Sequence, residues 1–302
     1  MTKTVFYSTI VLAFFLSGCS ALSGQTTQLS QATAPWGGAP ERGLRVTYVF
    51  PKSPAEAAGI HPMDVITKYG DFDVIDDAGF FAAKNHYDKP IPSTVEIVVF
   101  RGGYRMSAKV QTGWLGINSI DNDKVSQEFM RLMTRINTMR EIPEYMHDRE
   151  FKGQFVEGPA KILEKAKALI DEAERNQTLT PAQVQLYRIY MILDEASPED
   201  QKRQADLLRE FIASQPFNYV HMVGSDKFFK DKRYRAAIAC FKEYLKRESG
   251  DVSIRLNMGF AYQRIGMYKE AAAATDYVLQ HLNVSEYGEY VAYTTKAGAA
   301  LG

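Results

Sequence analysis

Ser53-Pro54-Ala55-Glu56-Ala57-Ala58-Gly59-Ile60, followed by Asp64-Val65-Ile66, is the stretch that decides the fold of the first half of this chain. Proline near the start and glycine at the end predict one short helical turn, and the apolar pair after Asp64 predicts a strand. Alternating residues over 44–50 predict a strand before the turn. We therefore expect β-structure on both sides of a short helix.

The residues that follow extend this β-rich pattern. Asp76 or Asp77 can cap a helix that runs to about His86. Residues 94–100 form the strongest strand pattern in the chain, and Gly102-Gly103 turns it back into residues 104–110. The sequence predicts a small β-rich domain over residues 43–120.

These motifs together resemble a PDZ domain of the bacterial periplasmic type, over roughly residues 43–118. Met63 stands where that family usually has glycine before the aspartate, so the local turn departs from the family pattern. The resemblance implies a domain that binds an extended peptide as an added strand at a sheet edge. It also implies a loop of the form X-Φ-Gly-Φ, with Φ apolar, whose backbone N–H groups hold the terminal carboxylate.

Two segments are candidates for this carboxylate loop. Residues 43–46 have Arg45 at the glycine position, whereas Trp114, Leu115, Gly116 and Ile117 match all four positions. We predict the second segment as peptide-binding, which requires a permuted strand order with the loop after residues 107–111. The alternative is that Trp114 and Leu115 only close the core and the groove is vestigial.

The helix after Asp76 would form the other wall of the groove. Helical spacing predicts Asp77, Phe81 and either Lys84 or Asn85 along the groove, with Phe80 in the core. Phe81 would then give a shallow apolar site for a hydrophobic peptide terminus.

The second half of the chain predicts helices. Apolar residues of 129–139 fall on one helical face, including Met133, and we expect them to pack as core. Pro159, Pro181 and Pro198 each stand at the predicted start of a helix. Residues 121–216 are therefore predicted to form helical hairpins, with a degenerate repeat at the end.

A repeat with an offset of 34 residues follows, over 217–302. The offset pairs Phe228 with Tyr262, Tyr234 with Tyr268, Ala237 with Ala271, and Leu245 with Leu279. This period and its small and aromatic positions resemble tetratricopeptide (TPR) repeats. The family's proline is absent after both repeats, Thr275 replaces an aromatic residue, and residues 285–301 would be a capping helix. The expected fold class is therefore a multidomain α+β protein, with a PDZ domain before an all-α TPR-like array.

The first nineteen residues end in Leu16-Ser17-Gly18-Cys19 after an apolar run. This pattern resembles the lipobox of bacterial lipoproteins, which implies a signal peptide over 1–18 and lipidation of Cys19. Residues 19–42 would be a flexible tether. Ser20 after the cysteine suggests the periplasmic face of the outer membrane, with surface display as an alternative.

Composition excludes several classes of function. With 36 basic and 36 acidic residues, the chain has no basic field for nucleic acid. Cys240 would be the only remaining cysteine and is expected to be a small buried side chain, and the five histidines show no zinc pattern. We expect no cofactor, no metal, no small-molecule substrate and no enzymatic activity.

The resulting prediction is a membrane-anchored adaptor of the cell envelope with protein or peptide partners. The PDZ-like domain would bind C-termini or strands, and the helices a second partner. Two alternatives remain: a structural assembly factor with an inert PDZ fold, or an accessory subunit that delivers substrates to a separate protease.

Overall fold

The computed structural model describes residue 29 and residues 40–87, 94–142, 144–151, 154–194 and 196–281. The predicted signal peptide, Cys19, most of the tether and the predicted capping helix lie outside the described residues. The described chain is a mixed α+β structure, with one antiparallel six-stranded sheet followed by helices.

The first part of the structure, residues 40–121, is called the sheet unit below. Its strands run in the order β5-β4-β2-β1-β6, and β3 pairs with β2. Their bounds are β1 Leu44–Val49, β2 Val65–Tyr69, β3 Phe72–Asp73, β4 Thr94–Arg101, β5 Tyr104–Gln111 and β6 Ile117–Asp121. Two helices belong to this unit: α1 Pro54–Ala57 and α2 Asp77–Tyr87.

The strands form where alternating sequence patterns predict them, because every second side chain is buried in the core of the sheet unit. Leu44, Val46, Ile66 and Val99 are fully buried there, and Phe80 of α2 packs against the same cluster. Arg101 ties α1 to the sheet, since it donates to both oxygens of Asp64 and to the Gly59 carbonyl, each at 2.6 Å. The sequence-predicted strands, hairpin and helix of this unit are confirmed to within about two residues.

Strand structure continues further along the chain than the sequence indicated. The prediction that residues 121–216 form only helical hairpins is wrong in part, since β6 runs to Asp121 and a β-hairpin is formed by β7 Arg149–Phe151 and β8 Gln154–Val156. β6 was missed because Asn118, Ser119 and Asp121 are polar; it forms because it pairs with β1.

The remaining described chain, residues 124–281, is called the helical array. Its helices are α3 Lys124–Met139, α4 Pro159–Arg175, α5 Pro181–Tyr190, α6 Pro198–Ser214, α7 Phe217–Met222, α8 Tyr234–Arg247, α9 Val252–Arg264 and α10 Tyr268–His281. Helices α4, α5 and α6 begin at Pro159, Pro181 and Pro198 as predicted, because a proline at the first helical position loses no intrahelical hydrogen bond. The apolar face of α3, Met133 included, is buried as core.

The last four helices form two hairpins of matching length. Helix α7 continues through a π-helical turn, Val223–Phe229, and pairs with α8, while α9 pairs with α10. Helices α8 and α10 start 34 residues apart, which is the predicted period. Ala237 and Ala271 are fully buried at equivalent positions, as is Cys240.

No helix among the described residues combines the length and the apolar character needed to span a bilayer.

Candidate functional site

The predicted carboxylate loop connects β5 to β6 and has a well-defined backbone. Gly116 has φ +79°, and a Cβ atom there would lie 2.2 Å from the Cβ of Ser53. The Gly116 carbonyl accepts from Phe50 N at 2.9 Å, and the Leu115 carbonyl from Ala55 N at 3.0 Å. Glycine is therefore required at 116, and the loop is fastened to the start of α1.

Two amide groups of this loop have no acceptor among the described residues. Within the part of the chain that the structure describes, the N–H groups of Leu115 and Gly116 donate to no protein acceptor. Leu115 is 4% exposed and packs in the sheet core, which holds the backbone of the loop in place. Such a pair of amides can bind an anion.

Strand β6, which follows the loop, lies at an edge of the sheet. Its other side pairs with no strand of the described residues. Ser119 lies opposite Val46 of β1. The N–H of Val46 donates to the Asp64 carbonyl and its carbonyl accepts from Met63 N, so both backbone groups of Val46 point away from β6. In antiparallel pairing Ser119 therefore directs its backbone groups to the free edge. Ile120 pairs with Arg45 of β1, and its side chain is 39% exposed on a face of the sheet.

Helix α2 stands beside this edge, as the sequence predicted, but part of its predicted groove face is covered. Phe80 is in the sheet core, and Phe81 is half-buried with its ring 5.8 Å from that of Tyr219 in α7. Lys84 is 8% exposed and donates to the carbonyl of Gly113 at the start of the loop. The last turns of α2 thus reach the loop, while the first turns meet the helical array.

Asp121 closes the far end of β6. Its Oδ1 accepts from the backbone N–H of Asp77 at 2.8 Å, which joins β6 to the start of α2. Its Oδ2 accepts from Gln183 Nε2 at 2.9 Å and from the hydroxyl of Tyr187 at 3.2 Å, both in α5. Among the described residues, no strand covers the edge near the loop, and the helical array contacts β6 at the Asp121 side chain.

A buried ion pair also joins the two parts. Asp77 is 2% exposed, and its Oδ2 lies 2.6 Å from Nζ of Lys227 in the π-helical turn. Burial raises the pKa of Asp77 to about 6; the Lys227 ammonium opposes this shift and the nearby Asp121 carboxylate adds to it. Burial of Lys227 acts to lower its pKa, but the attraction of Asp77 and Asp121 outweighs that effect, so the pKa is raised. Asp76 adds a third carboxylate, which accepts from the Thr180 hydroxyl.

The structure thus brings Trp114, Leu115, Gly116 and Ile117 together with β6 as one loop-and-edge surface. Phe81 lies against Tyr219, and Cys19 is outside the described residues. Residues 44–46 of the competing segment lie in β1, which pairs with β2 and β6 on both sides, so most of this segment is strand and not loop. Sequence reasoning missed Lys227, Gln183 and Tyr219, because residues so distant in sequence leave no local signal of the contact.

Among the described residues, no group of three or more His, Cys, Asp or Glu side chains is placed to hold a metal ion. Comparison with family models, curated proteins and solved structures finds no match to this chain.

Proposed function

We propose that this protein is a non-enzymatic, membrane-anchored adaptor with a PDZ-like sheet unit and TPR-like helices, and that it binds free protein C-termini or strands. The observation that carries the proposal is the loop of residues 113–117, in which the amides of Leu115 and Gly116 find no acceptor among the described residues and lead into the edge of β6 that no described strand covers. A terminal carboxylate accepts from these amides, and the preceding residues of the ligand pair with β6.

The helical array provides a second surface for a protein partner, and lipid on Cys19 holds both surfaces at the envelope membrane. Tethering raises the effective concentration of partners in the same membrane, so weak contacts at each surface are sufficient. Replacing Cys19 with serine is expected to abolish function in the cell while leaving peptide binding in solution unchanged.

The test of the peptide site compares ligands that differ only at the terminus. A library of peptides with a free C-terminus is screened on the purified protein, and each hit is remade with an amidated terminus. We expect binding to require the free carboxylate and to be lost in Gly116→Val. Gly113→Ala is the matched control, because Gly113 also has positive φ but a Cβ there would meet nothing within 4 Å.

Equal binding of free and amidated peptides would disprove carboxylate recognition, and equal losses in Gly113→Ala and Gly116→Val would trace the effect to general strain. Turnover of a peptide by the purified protein would contradict the non-enzymatic assignment.

A second candidate function is a structural assembly factor in which the PDZ-like fold binds no peptide. The observation that favours it is the contact of Phe81 with Tyr219, which covers part of the expected groove wall. Crosslinking in membranes followed by co-purification separates the two. The adaptor loses partners in Gly116→Val, whereas the assembly factor keeps them.

A further inference from the structure

The end of the sheet unit that carries the loop also carries an exposed row of aromatic rings. Trp114 is 56% exposed and its ring centroid lies 5.8 Å from that of Phe50, which lies 5.0 Å from that of Tyr48. Tyr48 is 41% exposed. Lys52 and Glu56 stand beside this row as exposed charges, with Lys52 N donating to Glu56 Oε2 at 2.6 Å. Indole and phenol rings prefer the boundary between the headgroups and acyl chains of a bilayer.

The N-terminal segment is attached at the same end. Leu29 packs against the sheet core, and its backbone N–H donates to the carbonyl of Ala58 at 2.9 Å. Ala55, one helical turn before Ala58, donates to Leu115 beside Trp114. The contacts of Leu29 and of the loop are therefore separated by roughly 5 Å along α1.

The position of Leu29 limits how the sheet unit can face a membrane. Leu29 lies ten residues after Cys19, and these ten steps along the chain span at most about 35 Å when fully extended. A compact unit of this size has a radius of about 15 Å, so a path around it to the opposite pole is about 47 Å. A lipid on Cys19 cannot remain in the bilayer if the opposite pole faces it.

We propose that Trp114, Phe50 and Tyr48 form a membrane-docking edge that rests in the lipid headgroup region, with Leu29 fixing the orientation. The inference rests on attachment of lipid at Cys19, which is part of the proposed function. It places the carboxylate loop at the bilayer surface, so the accessible ligands are protein termini that end close to that surface.

The experiment anchors the chain chemically, so it does not depend on lipidation in the cell. Protein beginning at Cys19 is coupled to phosphatidylcholine vesicles that contain a maleimide lipid. Cys240 does not compete, because it is buried and its thiol pKa is raised to about 12. The chain has two tryptophans, so Trp36→Phe leaves Trp114 as the reporter.

Lipids brominated near the acyl carbonyl then quench tryptophan that reaches the headgroup boundary. We expect Trp114 to lose about half of its emission or more, as for an indole held at that depth. The matched reporter is Tyr268→Trp in a chain with Trp36→Phe and Trp114→Phe, since Tyr268 is exposed at the start of α10, the last described helix. It should keep its emission.

A second pair of variants tests the role of Leu29. Leu29→Asp removes the apolar contact and should reduce quenching of Trp114, whereas Ser30→Asp adds the same charge one residue away and should not. Unquenched Trp114, or equal quenching of the two reporters, would overturn the proposal. So would a Trp114 emission shift that grows with protein concentration without vesicles, because a second copy would then cover the aromatic row.

Peptide binding in solution is measured on the same variants. Retained quenching without peptide binding would refute the proposed function alone, and peptide binding without quenching would refute the docking edge alone.

Discussion

Alanine substitutions at two glycines of the loop distinguish the cost of backbone strain from the cost of a steric clash. Both Gly113 and Gly116 have positive φ, where an L side chain costs about 1–2 kcal/mol. Only Gly116 faces an obstacle, because a Cβ added there would lie 2.2 Å from the Cβ of Ser53. We expect Gly113→Ala to lower the free energy of unfolding by about 1 kcal/mol, and Gly116→Ala by about 1–3 kcal/mol more because of overpacking.

Urea unfolding of the two alanine variants side by side measures this difference. Equal losses would mean that the loop moves away from Ser53 without cost, and the close approach would then not hold the loop in place.

The Asp77 carboxyl predicts an unusual dependence of stability on pH. Its pKa is about 6 in the folded protein and near 3.8 when unfolded, mainly because of burial. Between these two pH values the folded state binds more protons than the unfolded state. The Asp77 carboxyl therefore adds its full share to the free energy of unfolding below about pH 4, and this share is lost as the pH rises through 6. Asp76 has a raised pKa as well, again mainly because of burial, and acts in the same direction. We expect Asp77→Asn to flatten the fall in unfolding free energy between pH 4 and 7.

Lys227→Met is the companion variant for this measurement. It leaves Asp77 buried without its cation, so it should destabilise the protein by about 3–5 kcal/mol at pH 7 and by less at pH 5, where the carboxyl takes up a proton. A loss that is independent of pH would show that the carboxyl does not titrate in this range.

The sequence predicted the burial and the backbone conformation of residues where a local sequence pattern determines them. Phe80 is buried and Gly116 has positive φ, because helical spacing and the X-Φ-Gly-Φ pattern are local signals. The cover of Phe81 by Tyr219 was not predictable, since it depends on how two distant segments pack.

At the scale of elements, the π-helical turn explains an irregularity in the repeat. Helices α8 and α10 start 34 residues apart, yet Gly224 and Gly259, which lie close to the facing helix of each hairpin, are 35 apart. The extra residue falls between Gly224 and Phe228, inside Val223–Phe229. A π turn accommodates one added residue while the chain on both sides keeps its packing.

Deleting exposed Asp226 should convert this turn to α-helix and rotate α7 by about 100° relative to α8. Tyr219 would then leave Phe81, and we expect unfolding free energy to fall by about 3 kcal/mol or more. Hydrogen exchange should show lost protection in α7 and α2 and retained protection in α8–α10.

Asp226→Ala is the control of equal chain length, and it should be nearly neutral because the Asp226–Lys230 pair is exposed. If the deletion is as well tolerated as the substitution, the extra residue has no structural role.

Element prediction succeeded where capping and periodicity are strong. The prolines at 159, 181 and 198 start helices, and the hairpin turns at Gly102-Gly103. Strand β6 was not predicted, because polar residues hide its alternating pattern and it becomes a strand only by pairing with β1. The position of residues 113–116 directly after β5 agrees with the prediction.

For the whole molecule, the sequence suggested two separate modules, whereas the structure joins them by buried contacts. Asp121 holds the start of α2 and two side chains of α5, and Asp77 holds the π-helical turn. The edge of β6 therefore ends where the sheet unit contacts the helical array. We therefore expect a ligand that pairs with β6 to affect the position of α5 through the Asp121 carboxylate.

This junction predicts a limit on ligand length. We expect a peptide that starts at the loop to pair with β6 no further than Ile120, because the side chain of Asp121 is held by Gln183 and Tyr187 of the helical array. We expect affinity to rise as a free-carboxylate peptide grows to about four residues, at about 3.3 Å per residue along the strand, and then to level off. Isothermal titration of one sequence extended from two to eight residues measures this.

The variant Gln183→Leu tests whether the helical array sets the limit. It removes one donor to Asp121 and should leave the affinity of a four-residue peptide nearly unchanged while an eight-residue peptide gains, because the strand edge can open further. Thr67→Val, on β2 and away from the junction, is the control and should keep the original limit. Affinity that rises steadily through eight residues in the unmodified protein would mean that the helical array does not close the edge, and that the two parts bind their ligands independently.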